Sequence, residues 1–230
     1  MYGVTLGGYH SYTDLGLILQ TVAMPLPTPK TSAIDVPGMD GSIDLTEAFG
    51  PVKMQNRLIT MTLSDKSFYL RRYGIQSFVS NLLHGKKVQI IFDEDPGYYY
   101  IGRLTIGEFY PEGSVRTVSI TADCEPYKYE TVLSDDDWLW DPFNFETGVI
   151  REYKDIVVSG TKAVTVIGGE QATIPTIIAS DAMTVTVNGT TYNLSAGENK
   201  NYNIVLNSGE TVFTFTGSGT VSIRFRGTSL

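Results

Sequence analysis

A mainly β protein of two domains with a single helix is the fold class this sequence predicts, and three patterns predict it. Short apolar runs, some alternating with polar residues at every second position, fill the chain up to about residue 126. One stretch there, Ile75, Phe78, Val79, Leu82 and Leu83, instead follows the i, i+3, i+4, i+7, i+8 spacing of an apolar helix face. Beyond Asp155 helical periodicity vanishes, and turn residues recur about every eight to twelve positions, the rhythm of a small β-sandwich.

Taken in order, the strand runs are Leu15 to Leu19, Thr31 to Val36, Leu58 to Leu63, Val88 to Phe92 and Tyr98 to Thr105. The helix is expected over Lys66 to His84, with Gly85 as its C-terminal stop and the His84 ring meeting the last carbonyls. From Ser114 to Cys124, Val118, Ile120, Ala122 and Cys124 alternate with Ser119, Thr121 and Asp123, which turns Cys124 toward the core. The stretch SDDDWLWDPFNFETG, Ser134 to Gly148, breaks the pattern with clustered acids and Pro142 and reads as a connector. The predicted domains are therefore residues 1–128, and residues 129–230 with the connector 129–150 included.

In the second domain Asn188-Gly189 sits between Met183/Val185/Val187 and Tyr192/Leu194, the signal of a two-residue type I′ hairpin. The last strand points Val221, Ile223 and Phe225 inward and Ser222, Arg224 and Arg226 outward. Across the strands of this domain the outward residues are mostly Thr, Ser and Asn and show no convincing ligand constellation.

An apolar fraction of 42% with 18% charged residues is that of a folded chain and excludes wholesale disorder. The net charge of −8, with no Lys/Arg-rich run, excludes tight nucleic-acid binding by charge. Cys124 is the sole cysteine, so neither an intramolecular disulfide nor a cysteine-rich zinc site can form. The N-terminus lacks the features of a signal peptide and no apolar run approaches the ~18 residues of a membrane helix, so a protein made in a cytoplasm without membrane insertion is expected.

The acids Asp93, Glu94 and Asp95, and Asp135, Asp136 and Asp137, invite a hard-cation reading, but neither run has the spacing of a calcium loop, and solvated turns are the preferred reading. His10 and His84 stand near no nucleophile motif, and Cys124 reads as a small core residue. No catalytic residue, metal site or cofactor is expected, and the chain is read as no enzyme. Trp138 and Trp140, with Phe143 and Phe145, form either a sugar-stacking platform or a pin for the connector, of which pinning is preferred.

Several phrases depart from generic strand-and-turn sequence: KTSAIDVPGMDGSIDLTEAFG at Lys30 to Gly50, Asn56-Arg57, NLLHGK at Asn81 to Lys86, FDEDPGYYYIGR at Phe92 to Arg103, and DCEPYKY at Asp123 to Tyr129. In this order and spacing they resemble the distal tail protein family of long-tailed phages, the siphovirus tail components, across essentially the whole first domain. The resemblance implies an N-terminal β-sandwich or barrel-like domain and a C-terminal galectin-like β-sandwich. It implies a homo-hexameric ring at the end of the tail tube, a virion tail location, and a hub joining a tail-tube protein to tail-tip and receptor-binding proteins. DNA would pass through the lumen without specific binding. A glycan-binding adsorption module is the alternative.

The motif residues have physical readings of their own. Asp35, Pro37, Gly38, Asp40 and Gly41 suit a type II turn with Pro37 at its second and Gly38 at its third position. Asp93 and Asp95 belong to a turn that leads into Tyr98 and Tyr99. These residues, with Asn56, Arg57, Gly102 and Arg103, are either fold-specifying or ring contacts, and the Tyr98 to Tyr100 run is a candidate for adding to a neighbour's sheet.

Overall fold

Alternation dictates where the first core lies. On β6 (Arg57–Asp65) Ile59, Met61 and Leu63 are fully buried while Leu58 is exposed; on β9 (Val115–Cys124) Val118, Ile120, Ala122 and Cys124 are buried in the same way. The two strands pair antiparallel with Leu63 opposite Val118 and Met61 opposite Ile120, so both buried rows share one face. The computed structural model describes residues 3–65, 74–112, 115–137 and 148–230. Its contacts divide the chain into two compact units, Met1–Glu94 with Tyr100–Pro126 and Leu230, and Asp95–Tyr99 with Tyr127–Ser229.

The first unit also contains β1 (Val4–Leu6), β2 (Tyr9–His10), β3 (Leu17–Ala23), β4 (Ala33–Asp35), β5 (Ser42–Asp44), helix α1 (Gly74–Leu83), β7 (Lys87–Phe92) and most of β8 (Tyr98–Glu112). Its main sheet runs β2-β1-β7-β8-β9-β6-β3, and β4 and β5 form a separate two-stranded sheet. Val79 and Leu83 seat α1 on the core, whereas Phe78, about 100° round the helix from Val79, is half exposed, so the apolar stripe is narrower than the sequence spacing suggests. The expected first turns, residues 66–73, lie outside the described residues.

The second unit is built on β16 (Gly209–Arg224), which pairs with β11 (Ile156–Gly168) along its length, with β13 (Met183–Val187) early and with β12 (Thr176–Ala179) late. β14 (Thr190–Leu194) and β15 (Gly197–Lys200) complete a sheet of order β14-β13-β16-β12-β15. β10 (Lys128–Glu130) pairs with β17 (Thr228–Ser229) and with Tyr98 and Tyr99. Phe213 and Phe215, Val221 and Ile223, Val185 and Ile177 fill its core. The β13-β14 turn is the expected two-residue hairpin, with Asn188 at φ 50° and Gly189 at φ 77° and Val187 opposite Thr190.

Two sequence expectations need correction here. Ser222 does not face solvent: it is buried, and its hydroxyl accepts the Asp155 N–H at 2.9 Å. The His84 ring does not meet the helix carbonyls; its Nδ1 accepts the Ile106 N–H of β8 at 3.1 Å. The described start of the connector at Ser134 belongs to no strand or helix, as the sequence suggests, but it is anchored. Ser134 is buried, its backbone N–H donates to Phe225 at 3.0 Å, and its hydroxyl donates to the Ile223 carbonyl and accepts the Phe225 N–H. The hydroxyl thus satisfies backbone groups of Ile223 and Phe225 beyond the end of regular pairing.

Candidate functional site

After β3 the chain leaves the core sheet, and from Met24 to Asn56 only Pro27 is buried. This arm is held by its own backbone. Lys30 donates to Lys53 and Gln55 to Thr28, both at 2.7 Å, and Pro29 bridges Met54. Further out, Ala33, Ile34 and Asp35 face Asp44, Ile43 and Ser42 across β4 and β5. The tip is the type II turn the sequence predicts: Met39 N–H donates to the Val36 carbonyl at 3.1 Å across Pro37 and Gly38, and Gly38 has φ 88°. Asp40 and Gly41 follow on the exposed return, Gly41 also at positive φ.

The arm exposes large apolar side chains among the described residues. The cross-strand pair Ile34 and Ile43 is about half exposed, Met39 likewise, Leu26 is 75% exposed and Phe49 is fully so. Two strands with no third strand and no helix against them are marginal in water. Several large apolar side chains left exposed on one short arm are the mark of a binding face. One acid in the arm is fixed locally: the Thr46 hydroxyl and N–H hold the Asp44 carboxyl below its usual range.

The remaining motif residues are drawn inward by the fold. Arg57 is buried in β6, its guanidinium donating twice to the Pro126 carbonyl and lying 5.2 Å from the Tyr100 ring centroid. Asn56 donates to the Asp123 carboxylate at 3.0 Å, so Asn56-Arg57 fastens the end of the β6-β9 ladder where β9 leaves it. Gly102 lies opposite Cys124, and a Cβ there would stand 2.5 Å from the Cys124 sulfur. Burial pushes the Cys124 thiol up to about 12, against the opposing pull of Arg57. Arg103 donates to the Gly85 carbonyl at 2.6 Å, which closes the chain just past α1.

Asp93 accepts the Gly3 N–H at 2.7 Å and pairs with the His10 ring at 3.1 Å, and the Thr13 hydroxyl lies 3.3 Å from the other ring nitrogen. The array is triad-like in outline, but that nitrogen already accepts the Thr13 N–H, so it fastens the β2-β3 turn. In the second unit Asp95 takes Lys128 at 2.8 Å, and the same ammonium lies 4.2 Å from the Tyr98 ring centroid. Tyr99 stacks on Tyr129 with centroids 5.6 Å apart. Tyr98, Tyr99 and Tyr100 are each at most 8% exposed and already paired in ladders, so this run is no free edge for a neighbour's sheet. Trp138 and Trp140 lie outside the described residues.

Among the described residues, no group of three or more His, Cys, Asp or Glu could hold a metal ion, and no helix is long and apolar enough to cross a membrane. A family model described as a phage tail protein RIFT-related domain matches residues 6–137. The crystal structure of the Dit protein of phage SPP1, titled a paradigm of the hub adsorption apparatus in phages infecting Gram-positive bacteria, matches with a TM-score of 0.67. All of both chains is covered at 15% identity, a likeness of fold. No curated protein matches.

Proposed function

Since the chain belongs to the phage tail protein family defined by this RIFT-related domain, we propose that it is a structural hub at the distal end of a long-tailed phage's tail. Copies of the first unit close into a ring, hexameric on the family resemblance, that joins the tail-tube protein to tail-tip and receptor-binding proteins. The observation that carries this reading is the arm of residues 24–56. It presents Ile34 and Ile43 to solvent on a two-stranded sheet that pairs with no third strand among the described residues, with Leu26 and Phe49 exposed on the segments that flank it. A head-to-tail contact repeated by identical subunits gives a closed ring or an open filament, and a tail end must present one fixed symmetry to its tube.

Charge supports a conduit. Residues 1–126 carry 10 basic and 13 acidic side chains, so a lumen built from this unit holds no phosphate-binding surplus and lets DNA slide. The reading is of a non-catalytic scaffold located in the virion tail; polysaccharide turnover by the purified chain would count against it. The galectin-like outline of the second unit is part of the same proposal.

Electron microscopy and light scattering of the full chain at micromolar concentration are expected to show closed rings. The double variant Ile43→Asp, Phe49→Asp is expected to stay monomeric with an unchanged unfolding midpoint, since both side chains are exposed. A wild-type chain that remains monomeric even beside its tail-tube and tail-tip partners would refute the scaffold; rings of another order would cost only the inherited number.

A further inference from the structure

The second unit carries a groove for which ring assembly has no use. It has a volume of about 480 Å³ and opens where β14 passes into β15 and the loop beyond, with Ile177 and Ile204 at its base. Two hydrogen-bonded turns frame it. The Asn199 carboxamide holds the first, accepting the Ser195 N–H at 2.8 Å and donating to the carbonyls of Ser195 and Gly197 at 2.7 and 2.9 Å. Asn201 holds the second, its side chain accepting the Asn203 N–H and its carbonyl the Ile204 N–H. Ile204 is buried and anchors that turn, while Tyr202 at its crest is 71% exposed.

The groove that Tyr202 lines also holds polar groups with no ion pair or hydrogen bond elsewhere among the described residues. Lys200 lies 5.9 Å from the ring centroid and makes no ion pair among the described residues. The carboxamides of Asn193 and Asn203 have no hydrogen-bond partner among them either. Glu198 is neutralised by Arg224 at 3.0 Å, which leaves Lys200 as the groove's one uncompensated charge.

A large exposed aromatic face on a hydrogen-bonded turn, in a groove lined also by short amides, complements a ligand with one C–H face and a rim of hydroxyls. A pyranose has that shape. An apolar peptide would leave the amides unpaired, and a polyanion would find a single ammonium. We propose that this groove binds one pyranose ring of a saccharide, with Tyr202 stacking on its C–H face and Asn193, Asn203 and Lys200 bonding its hydroxyls. The site stands on the second unit's own residues and is independent of ring closure.

Saturation-transfer NMR on the full chain tests this with glucose, galactose, rhamnose and N-acetylglucosamine and their short oligomers as probes. Transfer to the ring protons of at least one sugar is expected. Tyr202→Ala should lose about tenfold or more in affinity, Tyr202→Phe should keep it, and Asn203→Ala should weaken it, all with unchanged unfolding midpoints. No transfer from any of these sugars, transfer that survives Tyr202→Ala, or equal loss in Tyr202→Phe would each overturn the stacking site.

Discussion

Replacing Arg151 with Met should cost the second unit far more than replacing its partner Glu130 with Gln. Both side chains are buried, at 5% and 12% exposure, and the Arg151 guanidinium donates to the Glu130 carboxylate and to the Ile167 carbonyl at 3.0 Å. Burial raises the Glu130 pKa above its usual value, outweighing the pull of Arg151 and Arg226. Arg151→Met strands that carboxylate and unpairs the Ile167 carbonyl, and losing one member of a buried pair costs about 3–5 kcal/mol. In a unit of roughly 100 residues this is a fall of at least about 12 °C in its unfolding midpoint. Glu130→Gln removes the buried charge together with the ion pair, and about 1–2 kcal/mol is expected.

The sign with pH follows from the raised carboxyl. A group that holds its proton more tightly when folded contributes stability present below its unfolded pKa and lost as pH rises through the folded one. The Arg151→Met deficit should therefore shrink as pH falls from 7 toward the ordinary carboxyl value of 4.5, and vanish into a pH-independent remainder in the Arg151→Met, Glu130→Gln double variant. Calorimetric scans of the full chain across that range measure it. An Arg151→Met cost below about 1 kcal/mol at pH 7, or a cost that grows on acidification, would refute the account.

Gly102→Ala should destabilise the first unit by about 1–3 kcal/mol through the clash with the Cys124 sulfur, and Cys124→Ala in the same chain should restore most of the loss; denaturant midpoints decide. Cys124, fully buried with its thiol pushed up to about 12, should resist thiol reagents at pH 8 in the folded chain and react on unfolding; labelling of the native protein at the rate of a free thiol would contradict this.

Local chemistry was readable and distant approach was not. The Pro37-Gly38 and Asn188-Gly189 turns follow from which residues accept positive φ, and the buried row from Val118 to Cys124 follows from alternation. Gly102 gave no such signal, because its need arises from a neighbouring strand's sulfur. Tyr98 to Tyr100 looked like an exposed edge because a run of aromatics does not say how many faces a strand buries. The Glu130-Arg151 pair spans 21 residues with no periodicity to announce it. The Tyr202 groove is lined almost wholly from one segment, Asn193 to Ile204, with Ile177 of β12 added; a run of Asn and Lys residues reads as a polar loop and does not say that the chain folds back around a hollow.

The arm also bears on why a ring, and not a dimer, would be the stable assembly on the proposed reading. Leu26, Ile34, Met39, Ile43 and Phe49 together expose the equivalent of about three whole side chains, so covering them is worth roughly 5–10 kcal/mol. Joining two free molecules costs about 4–15 kcal/mol in lost translation and rotation. A single arm contact therefore roughly breaks even. Each further subunit in an open chain meets the same balance and gains little. The closing contact is different, because its two surfaces are already tethered and it pays no new association cost. Its full burial then counts toward stability, and every subunit is held on two sides. A surface too weak to hold a pair and strong enough to hold a circle keeps partial assemblies scarce, which suits a part that must mate with its tube only when complete.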